Sequence, residues 1–316
     1  MKQPNLIAKT NNSLREAFGK SITYLAKNNK KIIVLDADLA GGTGCHHFLK
    51  KYPNRFLQCG IAEQNMFSLA AGISSMGFIP IATTFAVFAL RAFEQARLSI
   101  SYSNLNVKIV ASHGGLDVGP DGASAQCIED LACFRSLPNF VVLSPSDENE
   151  MFQATKEMIK HKGPVYMRTG RSNIGSIYKN NYKFKIGKAH ILNHGKNVCI
   201  FSTGMQTPIA YEALLDLKKK GVNPTLVSVP TIKPLDTKLI KRLAKKNKYF
   251  ISFEDHNVIG GLGSAISDVI SQGNFVKLTK IGIKDEIGRS GEAMELKKKY
   301  KIDKSFLIKE VLKSSR

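Results

Sequence analysis

The chain of 316 residues is long enough to bury two cores, and 43% hydrophobic with 22% charged residues is ordinary for a globular protein. No 18-residue apolar run is present, so no membrane-spanning helix is expected, and the first 19 residues hold no continuous apolar stretch, so no signal peptide is expected. The net charge of +21 comes from 36 Lys and only 10 Arg, scattered in pairs and triples, while residues 52–150 carry 5 basic and 9 acidic residues; that is a solvated lysine-rich surface, with no nucleic acid expected as a partner.

The elements alternate along the chain. "KIIVLDAD" (31–38) predicts a strand ending at Asp36 to Asp38. "CHH" at Cys45 to His47 has no second cluster at ligand spacing, so it reads as ordinary loop chemistry and no metal site is expected. "CGIAEQNMFSLAAG" (59–72) predicts a helix from Ala62 onward, largely buried, because Met66, Phe67, Leu69, Ala70 and Ile73 recur at helical spacing. "FIPIAT", "NVKIVASHGG", "FVVLSPSD" and "PVYMRTGR" predict further strands, each running into a polar or glycine-rich turn, with helices near 89–102 and 147–161 between them. Strand, loop and helix in this order predict a parallel α/β sheet covered on both faces, with ligands held beyond the strand C-termini. The polar, glycine-punctuated stretch 172–187 marks a domain boundary, and a second alternation follows it: "VCIFSTG", helix 208–219, "TLVSV", helix 236–246, "YFISFED", helix 261–271 and "VKLTKIGI". "VIGGLGSAI" (258–266) matches neither phosphate-loop fingerprint and reads as a tight loop opening a helix. The five cysteines, odd in number and widely spaced, are expected as reduced thiols in a cytoplasmic protein.

Four features share the first half. Asp38 closes the first strand, Glu63 opens a helix, Phe85 and Phe88 follow a strand end, and "ASHGGLDVGPDGASAQ" (111–126) is a glycine-rich loop with His113 and Asp121. A carboxylate at Glu63 has three fates: the positive end of the helix dipole, a cap on its own backbone, or a ligand that needs a strong acceptor in a dry place. Phe85 and Phe88 read as core packing, or equally as a platform for a flat heterocycle.

"GIAEQNMFSLAAGI", "TTFAVFALRAFEQ", "GPDGASAQCIEDLACFRSLPN" and "GRSGEAMELKKKYKID" resemble the transketolase family, in the family's order and over about 13–311. The resemblance is to the C-terminal half of a full-length transketolase, or to the small subunit of a split one. It implies two parallel-sheet α/β domains, a pyrimidine-binding domain over 1–180 and a transketolase C-terminal domain over 181–316, with thiamine diphosphate as cofactor. It implies that Glu63 is catalytic, hydrogen-bonding the aminopyrimidine ring and stabilising its imino tautomer, that Phe85 and Phe88 flank that ring, and that Asp38 and Leu39 lie near the cofactor. It carries His113, Arg15 and Asp121 over to the sugar-phosphate channel, His113 with a catalytic role, and a second phosphate clamp to Arg171 or Arg168. Arginine suits phosphate because it is always charged and binds bidentately; for each arginine alone the plainer reading is a surface ion pair.

Two positions depart from the family pattern: Ala125 stands where a histidine contacts the donor sugar, and Gly42 where a serine contacts phosphate. No Gly-Asp-Gly followed by Asn-Asn is present, so the chain is expected to hold half of the cofactor, with Mg2+ and the diphosphate on an N-terminal partner subunit in an α2β2 assembly. The expected reaction is transfer of a two-carbon ketol unit from a ketose to an aldose, with phosphorylated sugars as substrates and a specialised sugar-biosynthesis pathway as the setting. The alternatives are the β subunit of a 2-oxo acid dehydrogenase, a deoxyxylulose-phosphate-synthase-like enzyme, or a non-catalytic subunit kept for assembly.

Overall fold

The computed structural model describes residues 8–179, 181–273 and 276–315. The sequence reading of the first seven residues lies outside this range, as does that of residues 180, 274, 275 and 316.

The strands are β1 (Ala8–Ser13), β2 (Ile32–Asp36), β3 (Phe56–Gln58), β4 (Ile79–Phe85), β5 (Lys108–Ser112), β6 (Val141–Leu143), β7 (Val165–Arg168), β8 (Asn173–Ser176), β9 (His190–Asn193), β10 (Asn197–Ser202), β11 (Thr225–Ser228), β12 (Thr231–Lys233), β13 (Asn247–Asn257) and β14 (Lys277–Ile283). The first sheet has the order β12-β6-β7-β5-β4-β2-β3. It is parallel except for β12, which runs antiparallel beside β6. Its central strands β5, β6 and β7 are buried along their whole length, as their continuous apolar runs require. The register aligns the strand ends: Asp36 sits opposite Thr83, Phe85 opposite Ser112, and Ala111 opposite Arg168. The loops that leave these strands therefore gather on one edge, where open α/β sheets bind ligands.

The second sheet has the order β14-β13-β10-β11-β9, parallel but for β9. Two features cross the boundary drawn from the sequence. β12 belongs to the second half of the chain yet completes the first sheet. The segment expected as a linker contains β8, which pairs antiparallel with β1. That segment is also tied down: the N–H groups of Ile177 and Tyr178 donate to Asp147 at 2.7 and 2.8 Å, and the Tyr182 hydroxyl donates to Glu150 at 2.9 Å. Burial pushes the Glu150 carboxyl up to about 7. The apolar core runs without interruption from Ala111, Phe134 and Tyr166 of the first half to Phe201, Phe250 and Leu262 of the second.

Local sequence accounts for the helix ends. Ser13 caps helix Leu14–Leu25 by accepting the Glu16 N–H, and Leu14, Phe18 and Ile22 bury one face. Asp147 and Asp236 cap helices Glu148–Lys160 and Thr237–Ala244 in the same way. "VIGGLGSAI" opens helix Leu262–Ile270, and the free N–H groups of Leu262 and Gly263 hold the buried Glu254 carboxylate at 2.6 and 2.8 Å. That helix end is filled from inside the protein. The single helix predicted near 89–102 is instead three pieces, Ala86–Arg91, Phe93–Gln95 and a π-helix Ala96–Tyr102.

Candidate functional site

The loop after β2 is organised by Asp36, which the sequence reading passed over in favour of Asp38. The Asp36 carboxylate is fully buried and accepts the Leu39 N–H at 2.6 Å, the Thr83 hydroxyl at 3.0 Å and the Thr43 hydroxyl at 3.3 Å. These bonds fold residues 37–43 back over the strand end. Asp38 is left exposed in the left-handed region (φ 62°), its N–H donated to Gln58 at 2.9 Å, and Leu39 is half-buried beside it.

Glu63 is the first residue of helix Glu63–Ser75 and is 1% exposed. It does not cap its own backbone: the N-cap is Ala62, without a side-chain cap. Its carboxylate accepts from Arg91 Nη1 at 3.0 Å, and the Arg91 guanidinium lies 5.5 Å over the Phe88 ring. Phe88 stacks on Phe85 at 5.6 Å with 10° between planes, and Phe85 stacks on His113 at 3.7 Å. Glu63, Arg91, Phe88, Phe85 and His113 thus form one continuous arc. Helix Glu63–Ser75, expected to be largely buried, is buried on one face only. Gln64, Asn65, Ser68, Leu69 and Gly72 face outward, and Ile61, Leu98 and Tyr102 nearby are 75%, 54% and 83% exposed. The arc therefore sits beside an open apolar surface.

His113 has φ 61° and is 2% exposed. Its Nδ1 lies 2.8 Å from Ser112 Oγ, which in turn donates to the Gly42 carbonyl at 3.1 Å. A hydroxyl has one proton, so both contacts are met when Nδ1–H donates to Ser112 and Nε2 is left as an acceptor. Burial, followed by the neighbouring Arg15 and Arg171, pushes the imidazole down to about 4, so the ring is neutral at physiological pH. A Cβ at Gly42 would stand 2.6 Å from Phe85 Cε1, so a larger residue here would have to shift that ring.

Arg15 donates Nη1 to the Gly42 carbonyl at 3.4 Å, and its buried Nε has no protein partner. Arg171 lies across the loop 116–121. Its Nη1 donates to the Val118 carbonyl and is 3.4 Å from the half-exposed Asp121, and its backbone N–H donates to the buried Asp117 at 2.9 Å. Asp117 is itself paired with the buried Lys297 of the second half at 3.5 Å. The "GRSG" motif explains itself here. Gln126 donates to the Arg289 carbonyl at 2.9 Å, and a Cβ at Gly122 would meet Ser290 Oγ at 2.3 Å, so this turn is packed directly on the glycine-rich loop.

Arg168 is corrected from its place among the substrate residues. It is 8% exposed, and its guanidinium points inward: Nε and Nη2 bind the two Asp130 oxygens at 2.9 and 2.5 Å, Nη1 donates to the Asp255 carbonyl at 2.7 Å, and Nη2 also donates to the Cys127 carbonyl at 3.0 Å. This is a buried structural pair joining the two halves, and its geometry leaves Arg171 as the candidate clamp. Asp36, Arg91, Ser112 and Asp117 were missed by sequence reasoning. A second aspartate inside the strand pattern hinted at Asp36; nothing in the sequence marked Arg91, which is 28 residues from its partner.

The donor set suits one half of a thiamine cofactor: a buried carboxylate as acceptor, two parallel phenylalanines, and an open apolar flank. Among the described residues the arc brings no acidic cluster that would hold a Mg2+ ion.

Two family profiles match the chain, the transketolase pyrimidine-binding domain over residues 11–176 and the transketolase C-terminal domain over 187–306. A protein of Methanocaldococcus jannaschii provisionally named a transketolase C-terminal section is 42% identical over 303 residues, 95% of this chain and 95% of that protein. The 6-deoxy-6-sulfo-D-fructose transketolase subunit SqwH of Clostridium sp. (strain MSTE9) is 33% identical over 301 residues, 95% of this chain and 94% of that protein. A solved structure described as a split gene transketolase, inactive beta4 tetramer, superposes with a TM-score of 0.89 at 40% identity, covering 96% of this chain and 98% of that one.

Proposed function

Because the chain belongs to the transketolase family, we propose that it is the small subunit of a two-chain, thiamine diphosphate-dependent enzyme that moves a two-carbon ketol unit from a ketose to an aldose. The observation that carries this reading is the arc from Glu63 through Arg91, Phe88 and Phe85 to His113, opening onto an exposed apolar surface. Such a surface beside a buried carboxylate supports a partner chain that closes over it. The partner would supply the diphosphate and Mg2+ side, in an α2β2 assembly. Free thiols at all five cysteines fit a cytoplasmic setting.

Glu63, Phe85 and Phe88 would hold the aminopyrimidine, with Asp38 and Leu39 at the loop beside it. Thiamine diphosphate supplies, when bound, a nucleophilic carbon that adds to the ketose carbonyl and takes up the charge left when the carbon–carbon bond breaks. Glu63 is an acceptor held in a water-poor place, which strengthens its hydrogen bond to the ring. Arg91 occupies that acceptor in the free chain and moves aside or shares it. His113, neutral and with Nε2 as acceptor, takes a hydrogen bond from a substrate hydroxyl and orients it. Arg15, with an unpartnered Nε, and Arg171 present charge to an anionic group at the far end of the sugar, and Asp121 accepts from a hydroxyl. Ala125 and Gly42 remove two polar contacts from the channel, which supports a donor that departs in shape or in its anionic end from the usual pentose phosphates. SqwH, similar over nearly its whole length, is named for a sulfonated sugar.

The test is reconstitution with a separate chain that carries the Gly-Asp-Gly and Asn-Asn motif. The expected result is no ketol transfer and weak or no cofactor binding by this chain alone, and both by the pair, with 2-oxo acids inert. Tight, magnesium-dependent cofactor binding by the lone chain in calorimetry overturns the two-chain reading, and turnover of a 2-oxo acid overturns the reaction class.

A further inference from the structure

Read as sequence, Cys45 to His47 lacked a further ligand. The fold brings one. Helix Leu14–Leu25 presents Glu16 in its first turn, and helix His46–Lys51 begins with the two histidines. His47 Nε2 lies 2.8 Å and His46 Nε2 4.0 Å from the same Glu16 oxygen, and the ligand atoms of all three lie within 4.8 Å of one another. The two imidazole centroids lie 4.1 Å apart with the rings tilted by 38°, and although the histidines are neighbours in sequence, both Nε2 atoms approach the same carboxylate oxygen. Ser13 and Glu16 have capping-box spacing, in which the glutamate turns back toward the N-cap N–H; here its carboxylate is turned to the histidines.

The backbone holds this geometry. Gly44 takes the left-handed conformation (φ 78°), and a Cβ there would stand 2.2 Å from the Arg15 carbonyl; a Cβ at Gly19 would stand 1.9 Å from the Gly44 carbonyl. The loop and the helix are in direct backbone contact, so the side chains meet across a rigid junction. The three side chains are 29–46% exposed, open enough to admit an ion and leave one coordination position to solvent.

We propose that Glu16, His46 and His47 form a binding site for a divalent transition metal, with Zn2+ the best-matched ion. Two imidazoles and a carboxylate are a common three-ligand zinc set, with a fourth position for water or a small anion. Bonds of about 2.0–2.2 Å at a tetrahedral centre put ligand atoms ~3.4 Å apart, and the observed 2.8 and 4.0 Å bracket that value. A bound ion would lock the loop carrying Asp38 and Leu39 to the helix turn carrying Arg15. This site is separate from the Mg2+ expected on the partner chain.

The test uses the full chain, alone and with its partner, dialysed against Zn2+ and assayed for bound metal, with Co2+ as a spectroscopic probe. The expected result is one tightly held Zn2+ per chain, a tetrahedral Co2+ absorption, and a rise in Tm on loading. His46→Ala, His47→Ala and Glu16→Gln are each expected to weaken binding by more than the about 10–100-fold typical of losing an outer-shell contact, with the circular dichroism spectrum unchanged. Absence of stoichiometric Zn2+, or retention of it at full affinity in these variants (at the partly exposed Cys59 or Cys133, for example), overturns the proposal.

Discussion

Replacing Arg168 with Gln separates a structural arginine from a substrate arginine. Arg168 holds both oxygens of Asp130, which is fully buried and has Tyr166 as its other side-chain partner at 2.6 Å. Removing one member of a buried ion pair strands the other charge and costs about 3–5 kcal/mol. An unfolding entropy of about 2.1 cal/mol/K per residue over 316 residues gives ~0.66 kcal/mol/K, so Tm is expected to fall by ~5–8 °C. Arg171→Gln loses a half-exposed contact with Asp121, worth ~0.2–1 kcal/mol, and a hydrogen bond to the Val118 carbonyl, worth ~0.5–1.5 kcal/mol, so its Tm falls by only ~1–4 °C while KM for an anionic sugar rises. Differential scanning calorimetry on both variants and steady-state kinetics on the reconstituted pair provide the comparison. A double replacement, Arg168→Met with Asp130→Leu, should recover most of the lost stability, because no charge is left unpaired. The acid side has a defined sign. Burial pushes the Asp130 carboxyl up, Arg168 more than reverses this, and the net result is a depressed value. Its contribution is present above the unfolded value near ~3.9 and is lost only as pH falls through the folded one. An Arg168→Gln variant with unchanged Tm and a raised KM would refute the structural assignment.

Glu63→Gln in the reconstituted pair is expected to reduce turnover by orders of magnitude with Tm little changed, because an amide cannot hold the imino tautomer as a carboxylate does; near-normal rates with cofactor bound would remove Glu63 from the chemistry. His113 should titrate near 4 in an NMR pH series of the full chain. Its folded value lies below the ordinary ~6.5, so the unfolded state binds the proton first, and stability declines as pH falls from ~6.5 to about 4; a His113 resonance titrating near 6.5 contradicts the neutral-ring reading. Ala125→His is expected to improve use of xylulose 5-phosphate, by up to the ~10²–10⁴-fold of general acid–base help, and a wild type that already turns this donor over at ~10 per second, with no gain from histidine, would make Ala125 a neutral variation.

Much of the fold was legible in the sequence because its signals are local. Apolar runs marked β2, β4, β5, β6, β7, β10, β11, β13 and β14, since a strand covered on both faces needs side chains of one kind along its length. The glycine-rich stretch at 258–266 was readable as a helix opening, because it lacks the spacing a phosphate needs. Short edge strands such as β3, β8, β9 and β12 carry three or four residues each and left too little pattern to read. What the sequence could not decide was pairing across distance. Arg168 and Arg171 are three positions apart and chemically alike, and only the fold turns one inward to Asp130 and the other toward Asp121. Leu69 fits the apolar helical pattern, yet it faces outward, because hydrophobic periodicity records burial without saying whether the same chain does the burying. Arg91 reaches Glu63 across 28 residues, Lys297 reaches Asp117 across 180, and Glu16 reaches His47 across 31. Residue types and their spacing determined which chemistry this chain can hold; the side-chain partners were set by loops converging at one edge of a sheet, which is a property of three-dimensional topology and leaves no local mark in the chain.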